Sequence, residues 1–148
     1  MRTFLSVLTI VALTSEALAF GNDEYWISGS GQGYDEAIIT HGPGNEIVVT
    51  CNRGATKPGG SGIAIKIGGQ EIGGPVTMLF DGSKSVALYS GLITTDNRAG
   101  ISWYREIMKQ LASSRFVTVV VPTVAPVTFT LKGARKAIGA PCEPDLYR

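Results

Sequence analysis

The chain has 148 residues, which is enough for one domain with a genuine hydrophobic core and not for two. Charged residues make up 17% of the sequence and glycine occupies 19 positions, a composition that indicates a turn-rich, β-rich protein rather than a disordered or mainly helical one. The net charge of +1 and the scattered basic residues argue against recognition of nucleic acid or an acidic membrane surface by charge.

The first 19 residues have the features of a signal peptide. Arg2 supplies a positive charge, Leu5–Leu13 is a short apolar run, and Ala17–Ala19 is a small-x-small cleavage site. The apolar run is too short for a stable bilayer anchor. We therefore expect a signal peptide at 1–19 and a single β-rich domain at 20–148, exported to the periplasm or secreted, with no membrane span after cleavage.

The beginning of the expected mature chain is polar and rich in glycine. A short strand is predicted around Tyr25–Ile27, followed by a flexible turn at Gly29-x-Gly31-x-Gly33. These glycines resemble part of a phosphate-binding loop, but no Lys-Ser/Thr pair follows them and no strand–loop–helix context surrounds them. Nucleotide binding is not expected.

Two β-hairpins and a long loop follow. Asp35–Thr40 and Glu46–Cys51 flank the Gly/Pro turn His41–Asn45, and the second of these runs alternates with a period of two. A polar loop at Asn52–Gly62 leads to an alternating strand centred on Ile65. Gly68-Gly69 after that strand suits a tight hairpin turn.

In the middle of the chain the sequence predicts one more hairpin, after which the spacing of the apolar residues changes from that of a strand to that of a helix. Val76–Phe80 and Ser85–Tyr89 are joined by Asp81-Gly82, a primed-turn signal. A polar connection, Gly91–Gly100, precedes an amphipathic helix at Ser102–Ala112 with Ser102 as its N-cap. Trp103 lies off the main apolar stripe of this helix, which makes it a candidate contact residue.

The C-terminal part predicts two paired strands and a short helix. Arg115–Val121 is apolar on both faces and is expected to lie centrally in its sheet. A bend at Pro122–Pro126 leads to the strand Val127–Leu131 and a helix at Lys132–Ala140. The spacing of the seven or eight strand signals predicts a mainly β fold, an antiparallel β-sandwich or curled sheet with two short helices and an α+β flavour.

The two cysteines, Cys51 and Cys142, are predicted to form a disulfide. Export to an oxidising compartment favours pairing of an even number of cysteines. Two separate buried thiols are the alternative. Two cysteines and a single histidine without close spacing do not make a zinc site, so no metal and no cofactor are expected.

The sequence gives little indication of a catalytic site. His41 is the only histidine, and it lies in a turn that is expected to be exposed. The chain has no Gly-x-Ser-x-Gly elbow, and its carboxylates do not stand in apolar surroundings that would raise a pKa. We expect a protein without enzymatic activity, although a small exported hydrolase using His41 or a carboxylate pair stays as an alternative.

The segment Phe129–Ile138 (FTLKGARKAI), which ends near Cys142, resembles the closing motif of small exported proteobacterial proteins. These include the invasion-associated protein B type and some type VI secretion accessory proteins. The resemblance also takes in the signal peptide and the Ile47–Cys51 strand, about a third of the chain. It implies an envelope-associated, non-catalytic protein and assigns no functional residue.

These observations lead to one functional expectation and one further alternative. We expect a binding or accessory protein that acts through contacts with an unidentified protein partner at the bacterial envelope. The candidate partner contacts are His41, Pro58 and Trp103. An inhibitor or immunity-type protein that inserts one of its Gly/Pro-rich loops into an enzyme is the further alternative.

Overall fold

A computed structural model describes residues 21–54 and 60–139 of the chain. Along the chain, the described part consists of ten strands and two helices: β1 Ile27–Gly31, β2 Tyr34–Thr40, β3 Glu46–Asn52, β4 Gly62–Ile67, β5 Gln70–Glu71, β6 Val76–Phe80, β7 Lys84–Leu88, β8 Leu92–Thr94, α1 Arg98–Ser113, β9 Phe116–Val121, β10 Val124–Thr130 and α2 Ala134–Ile138. The predicted mainly β fold with antiparallel strands and two short helices is confirmed, and of the two arrangements expected, a sandwich or a curled sheet, the structure has two separate sheets.

The first sheet has the strand order β1-β2-β3-β4-β5, and β8 pairs with β4 beside β5. The predicted hairpin around residues 41–45 is confirmed, with Thr40 opposite Glu46 in the register. The predicted turn between β4 and β5 is also confirmed. Gly68 and Gly69 both have positive φ, +61° and +79°, as a two-residue primed turn requires.

The second sheet has the order β10-β9-β6-β7. The β6–β7 hairpin turns at Asp81 and Gly82, which both have positive φ as predicted. Asp81 tolerates this conformation because its carboxylate accepts hydrogen bonds from the backbone N–H groups of Arg115 and Phe116. The turn is thereby tied to the start of β9.

The strand β9 lies inside its sheet, paired with β6 on one side and β10 on the other. This confirms the position predicted from its two apolar faces. β10 is an edge strand, and it begins at Val124 rather than at Val127. Its register shifts between these two residues, which accommodates Pro126, a residue that has no N–H to give to a ladder.

The strand β10 runs across the ends of the strands of the first sheet. At its start, Val124 lines the same cleft as Ile67 at the end of β4. Farther along, Phe129 meets the ring of His41, which follows β2. The Trp26 indole, just before β1, donates to a carbonyl oxygen of the last residue of β10 at 3.1 Å. The two sheets therefore cross where they pack on each other.

One apolar core joins both sheets and the helices. It is built mainly from alternate residues on one face of the strands β3, β4, β6, β7 and β9, together with one side of α1. Its most completely buried large side chains are Tyr104, Phe80, Phe129, Ile39, Ile47, Ile63, Ile65, Met78, Ile107, Leu111, Val76 and Val117.

The glycine-rich stretch near the start of the domain was predicted wrongly. Gly29 and Gly31 belong to β1, which pairs with β2 in an unbroken register. The turn is limited to Gln32 and Gly33, both with positive φ. Trp26 precedes this strand instead of lying at its centre. Pairing with β2 thus imposes an extended conformation on a sequence that has no alternation of its own.

The helix α1 begins earlier than its apolar stripe predicts. Its N-cap is Asn97, whose side-chain oxygen accepts a hydrogen bond from the Gly100 backbone N–H at 2.8 Å. The prediction of Ser102 as the N-cap is wrong, because Ser102 already lies inside the helix. The predicted connection before it contains the short strand β8.

The helix α2 is shorter than predicted, and its N-cap residue is Gly133. This glycine has φ of +82°, in the left-handed region that favours glycine. Ala134 is buried, whereas Ala137 and Ile138 are partly buried against the core. The predicted signal peptide, Pro58 and Cys142 lie outside the described residues.

Candidate functional site

The two predicted contact residues that the structure describes do not meet at one site. His41 lies in the β2–β3 turn, and Trp103 lies on α1. Pro58 is outside the described residues. The two that the structure describes belong to separate surfaces, so each surface is considered by itself.

Trp103 forms an aromatic pair with Tyr89, the residue after β7. Their ring centroids are 5.4 Å apart and the rings are inclined at 72°, an edge-to-face arrangement that aromatic rings favour. Tyr89 is 81% exposed, and Leu92 on β8 is 51% exposed. Large apolar side chains are therefore presented to solvent where β7, β8 and α1 come together.

The backbone below this pair is fixed by hydrogen bonds. The Gly91 N–H donates to the Ile72 carbonyl oxygen, and the Gly91 carbonyl oxygen accepts from Ile65, each at 2.8 Å. The Ser90 hydroxyl donates to the Leu92 carbonyl oxygen at 2.8 Å. The segment that carries Tyr89 and Leu92 is thus anchored to the first sheet.

Trp103 is held from the other side by α1. The helix buries Tyr104, Ile107 and Leu111 in the core, and this fixes its rotation about its own axis. Trp103 consequently lies at the edge of the buried face, half-buried, with one side toward Tyr89. Both residues of the pair therefore stand on backbone that hydrogen bonds or core packing support.

The solvent side of α1 is mainly basic. We use the name α1 surface for Tyr89 together with Arg98, Trp103, Arg105, Glu106 and Lys109. Lys84 forms an ion pair with Glu106 at 3.2 Å. Hydrogen bonds from Lys84 and then from Gln110 lower the pKa of the Glu106 carboxyl group below its ordinary value. The one carboxylate of the α1 surface is therefore already engaged.

The His41 turn is a different kind of surface. Asp23 accepts hydrogen bonds from the Thr40 hydroxyl and from the Gly42 backbone N–H. The hydrogen bond from Thr40, followed by that from Gly42, lowers the pKa of the Asp23 carboxyl group. Asn45 donates to the His41 carbonyl oxygen at 2.7 Å. The exposed turn is thus held in one conformation by its neighbours.

The imidazole of His41 is not part of a hydrogen-bonded catalytic group in residues 21–54 and 60–139. Its ring contact is with Phe129, with 6.2 Å between centroids, and the nearby Asp23 carboxylate is bonded to Thr40 and Gly42. The described residues also contain no group of three or more His, Cys, Asp or Glu side chains that would hold a metal ion.

A cleft of about 440 Å³ opens between the two sheets, away from both of these surfaces. Its lining is mostly apolar and comes from the β4–β5 region, the segment before β6 and the β9–β10 turn: Ile67, Gln70, Glu71, Ile72, Gly73, Gly74, Pro75, Val121, Pro122, Thr123 and Val124. It contains neither Trp103 nor His41.

Tyr89 is the aromatic residue of the α1 surface that sequence reasoning missed. The period-two pattern of β7 buries Val86 and Leu88, and this pattern directs Tyr89 outward. An aromatic residue at a position that the strand pattern directs toward solvent was the feature of the sequence that could have identified Tyr89 as a contact residue. Its contact with Trp103, however, joins elements that are adjacent only in the fold.

Within the parts of the chain that the structure describes, there is no helix whose length and apolar character would let it cross a membrane.

Comparison with known proteins gives one result. The curated proteins and the solved structures provide no match to the chain. The model of the YfjT family matches residues 24–138. This match covers most of the chain, including all ten strands and both helices of the described part, and the chain therefore belongs to the YfjT family.

Proposed function

We propose that this protein is an exported binding or accessory protein, periplasmic or secreted, without catalytic activity. It acts through protein–protein contacts at the bacterial envelope, and the contact is made by the α1 surface. The leader-like sequence at 1–19 supports export, and the resemblance of the C-terminal segment to envelope proteins supports the compartment. The exposed Tyr89–Trp103 pair is the observation that carries the proposed activity.

An exposed aromatic pair on a supported backbone is suited to binding. Trp, Tyr and Arg are the residue types that are most enriched at the centres of protein interfaces. Tyr89 leaves 81% of its surface in water, so a partner that covers it gains apolar burial. Because the backbone on both sides is already hydrogen-bonded or packed, binding does not have to order the backbone of these segments.

The test is capture of envelope proteins by the immobilised mature chain, residues 20–148. Tyr89→Ser and Trp103→Ala, alone and together, are expected to reduce the amount of the specific captured protein at least about tenfold, which corresponds to about 1.4 kcal/mol. Tyr25→Ser is the matched control, because Tyr25 is 45% exposed and lies outside the α1 surface. It is expected to leave capture unchanged.

Circular dichroism of each variant separates loss of contact from loss of fold. Tyr89→Ser is the decisive variant, since a largely exposed side chain contributes little to the core. Capture that is insensitive to Tyr89→Ser, or that falls equally with Tyr25→Ser, would show that the α1 surface is not the contact.

A second candidate function, an inhibitor that inserts the His41–Asn45 turn into an enzyme, is favoured by the way this turn is held. Asp23 accepts hydrogen bonds from Thr40 and Gly42, Asn45 donates one to His41, and the Gly69 N–H donates to the Gly44 carbonyl oxygen at 2.7 Å. A loop already fixed in one conformation binds a cleft at a lower entropic cost. Substitution Asp23→Asn would weaken inhibition of the target enzyme if this function is correct, with the α1 surface unaffected.

A further inference from the structure

We infer that the outer face of the first sheet is a second contact surface, which binds a basic polypeptide segment that also carries apolar side chains. The apolar side chains of the partner pack on a row of apolar residues that crosses the sheet. Its Lys or Arg residues lie against carboxylates on both sides of that row. The inference goes beyond the proposed function and does not rest on it, because none of these residues belongs to the α1 surface.

The register of the first sheet places one apolar residue from each of five strands side by side. The row, which we call the outer row, consists of Ile27 on β1, Ile38 on β2, Val48 on β3, Ala64 on β4 and Leu92 on β8. Neighbouring strands lie about 4.8 Å apart, so the outer row is about 19 Å long. It crosses the sheet at right angles to the strands.

The outer row lies on the face of the sheet that is turned away from the core. Side chains alternate between the two faces of a strand, and the next residues along three of these strands, Val49, Ile63 and Ile93, belong to the core. Ile38 is only 7% exposed, yet it is not part of the core cluster. Leu92 at the end of the row is 51% exposed. A sheet face that meets water normally carries polar side chains, so the outer row marks a contact surface.

Carboxylates border the outer row on both sides. The next row of paired residues on one side contains Glu36, and the next row on the other side contains Glu46 and Glu71. Each border is two residues along the strand from the outer row, which is about 7 Å. Asp23 adds a further carboxylate at the second border, where it accepts a hydrogen bond from the Thr40 hydroxyl.

Lys66 is the one cation in the two bordering rows of the described sheet, and it is already engaged. Its ammonium group bonds to the Glu46 carboxylate at 2.7 Å. The hydrogen bond to Glu46 and the charge of that group, with a smaller contribution from Glu71, raise the pKa of Lys66. Glu36 and Glu71 form no ion pair in the described part of the chain. The borders are therefore acidic on a chain whose net charge is +1.

The charge of the borders decides which partner fits the outer row. A second copy of the chain would bring an equally acidic face against this one, and like charges across an interface are unfavourable. A bilayer with anionic lipids would meet the same repulsion. A protein segment with Lys or Arg beside its apolar residues satisfies both features, with the apolar groups as anchors and the charges setting orientation and association rate.

The test uses the mature chain, residues 20–148, and random peptides displayed on phage. The peptides are about 15 residues long, because an extended segment needs about six residues to cover the outer row. Phage that bind the Leu92→Ser chain are removed first. The peptides that remain and bind the wild type are expected to carry Lys or Arg within about three residues of an aromatic or aliphatic residue. Their affinity, measured by fluorescence anisotropy, is expected to fall as salt rises.

A variant at the opposite end of the row gives an independent check. Ile27→Ser is expected to weaken binding of the selected peptides about tenfold or more. Val124→Ser is the matched control, because Val124 is 45% exposed on β10 of the other sheet, and it is expected to leave the affinity within about twofold. Circular dichroism checks the fold of each variant. Val48→Thr, which keeps the shape of the side chain, replaces Ile27→Ser if that variant does not fold.

The acidic borders are tested separately. Glu36→Gln and Glu71→Gln, one from each border, are each expected to weaken peptide binding about two- to fivefold, the range of a single exposed charge pair. Ser113→Lys changes the net charge by the same amount at an exposed position at the end of α1. It is expected to have a smaller effect than either substitution in the borders.

Several results would overturn the inference. They are selection of neutral or acidic peptides, no peptide left after the removal step, and equal losses for Ile27→Ser and Val124→Ser. A dimer in light scattering that Leu92→Ser dissociates would assign the row to a second copy. Binding of anionic phospholipid vesicles that Leu92→Ser abolishes would assign it to lipid. If envelope capture still depends on Tyr89 while basic peptides fail to bind, the proposed function stands and only the second surface is wrong.

Discussion

At the scale of single residues, Gly100 shows how tertiary contacts reverse a local preference. Glycine inside a helix costs about 1 kcal/mol relative to alanine, so local propensity alone favours Gly100→Ala. In the structure, a Cβ at this position would overlap the carbonyl oxygen of Thr94. Backbone atoms of a paired strand cannot withdraw as a flexible side chain does, and β8 is paired with β4 at this point.

We predict that Gly100→Ala destabilises the protein by about 1–3 kcal/mol, the range found when atoms are forced into a well-packed site. Urea unfolding followed by circular dichroism measures this change. Ala99→Gly is the matched control at the neighbouring exposed position, and it is expected to cost about 1 kcal/mol through helix propensity alone. A Gly100→Ala protein more stable than the wild type would mean that α1 is not seated against Thr94.

At the scale of elements, α1 has an observed N-cap, Asn97, and a predicted one, Ser102, and substitution of each residue tests which of them caps the helix. Asn97→Ala removes the side-chain oxygen that accepts from Gly100. This substitution is expected to lower the free energy of unfolding by about 0.5–2 kcal/mol. Ser102→Ala is expected to change it by less than about 0.5 kcal/mol, since an exposed residue in the second turn of the helix caps nothing.

The same urea titrations compare the two substitutions directly. Both replace one small polar side chain by alanine; alanine is the better residue inside the helix at position 102 and the poorer one at the N-cap, position 97. The difference between them therefore reports the cap. Equal effects, or a larger loss for Ser102→Ala, would place the beginning of the helix at the position predicted from its apolar stripe.

The elements that were predicted correctly are those in which the sequence pattern and the fold agree. The β3 strand alternates Ile47, Val49 and Cys51, and all three are buried. The turn at Gly68-Gly69 has one of the few residue pairs that readily adopt two positive φ angles. In these cases the local residues are sufficient to define the element, because one face of the strand enters the core.

The elements that were missed depend on contacts that local sequence does not record. β1 reads ISGSG and has no alternation, yet it pairs with β2 over its whole length. β8 has only three residues and exists through its ladder with β4. The same reason applies to the α1 surface. Trp103 was identifiable from its place off the apolar stripe of the helix, whereas Tyr89, which contacts it, follows β7 and is adjacent to it only in the fold.

At the scale of the whole molecule, the predicted disulfide bears on how the domain is closed. Cys51 is 4% exposed and lines a small cleft together with Ala137 and Ile138 of α2. Cys142 follows Ile138 by four residues, a span of at most about 14 Å for an extended chain. The fold therefore brings the end of α2 to the side of β3 that carries Cys51, which is a condition that the pairing requires.

We predict that the mature protein, purified without reductant, has a mass two hydrogens below that of the reduced chain. Breaking the bond by reduction, or by Cys142→Ser, is expected to cost about 4–5 kcal/mol, because the bond restricts a loop of about 90 residues in the unfolded chain. Urea unfolding with and without reductant measures the loss. The Cys142→Ser variant provides the control, since its own stability should not respond to reductant.

The size of this effect also separates the disulfide from two buried thiols. If Cys51 merely fills its place in the core, reductant leaves the wild type unchanged and Cys142→Ser is harmless, whereas Cys51→Ala costs about 1–2 kcal/mol through lost packing. If the bond exists, Cys51→Ala and Cys142→Ser both abolish the response to reductant. An equal mass for the reduced and untreated proteins would decide for the thiols, and the position of α2 would then depend on packing, including its contacts with α1, β1 and β2.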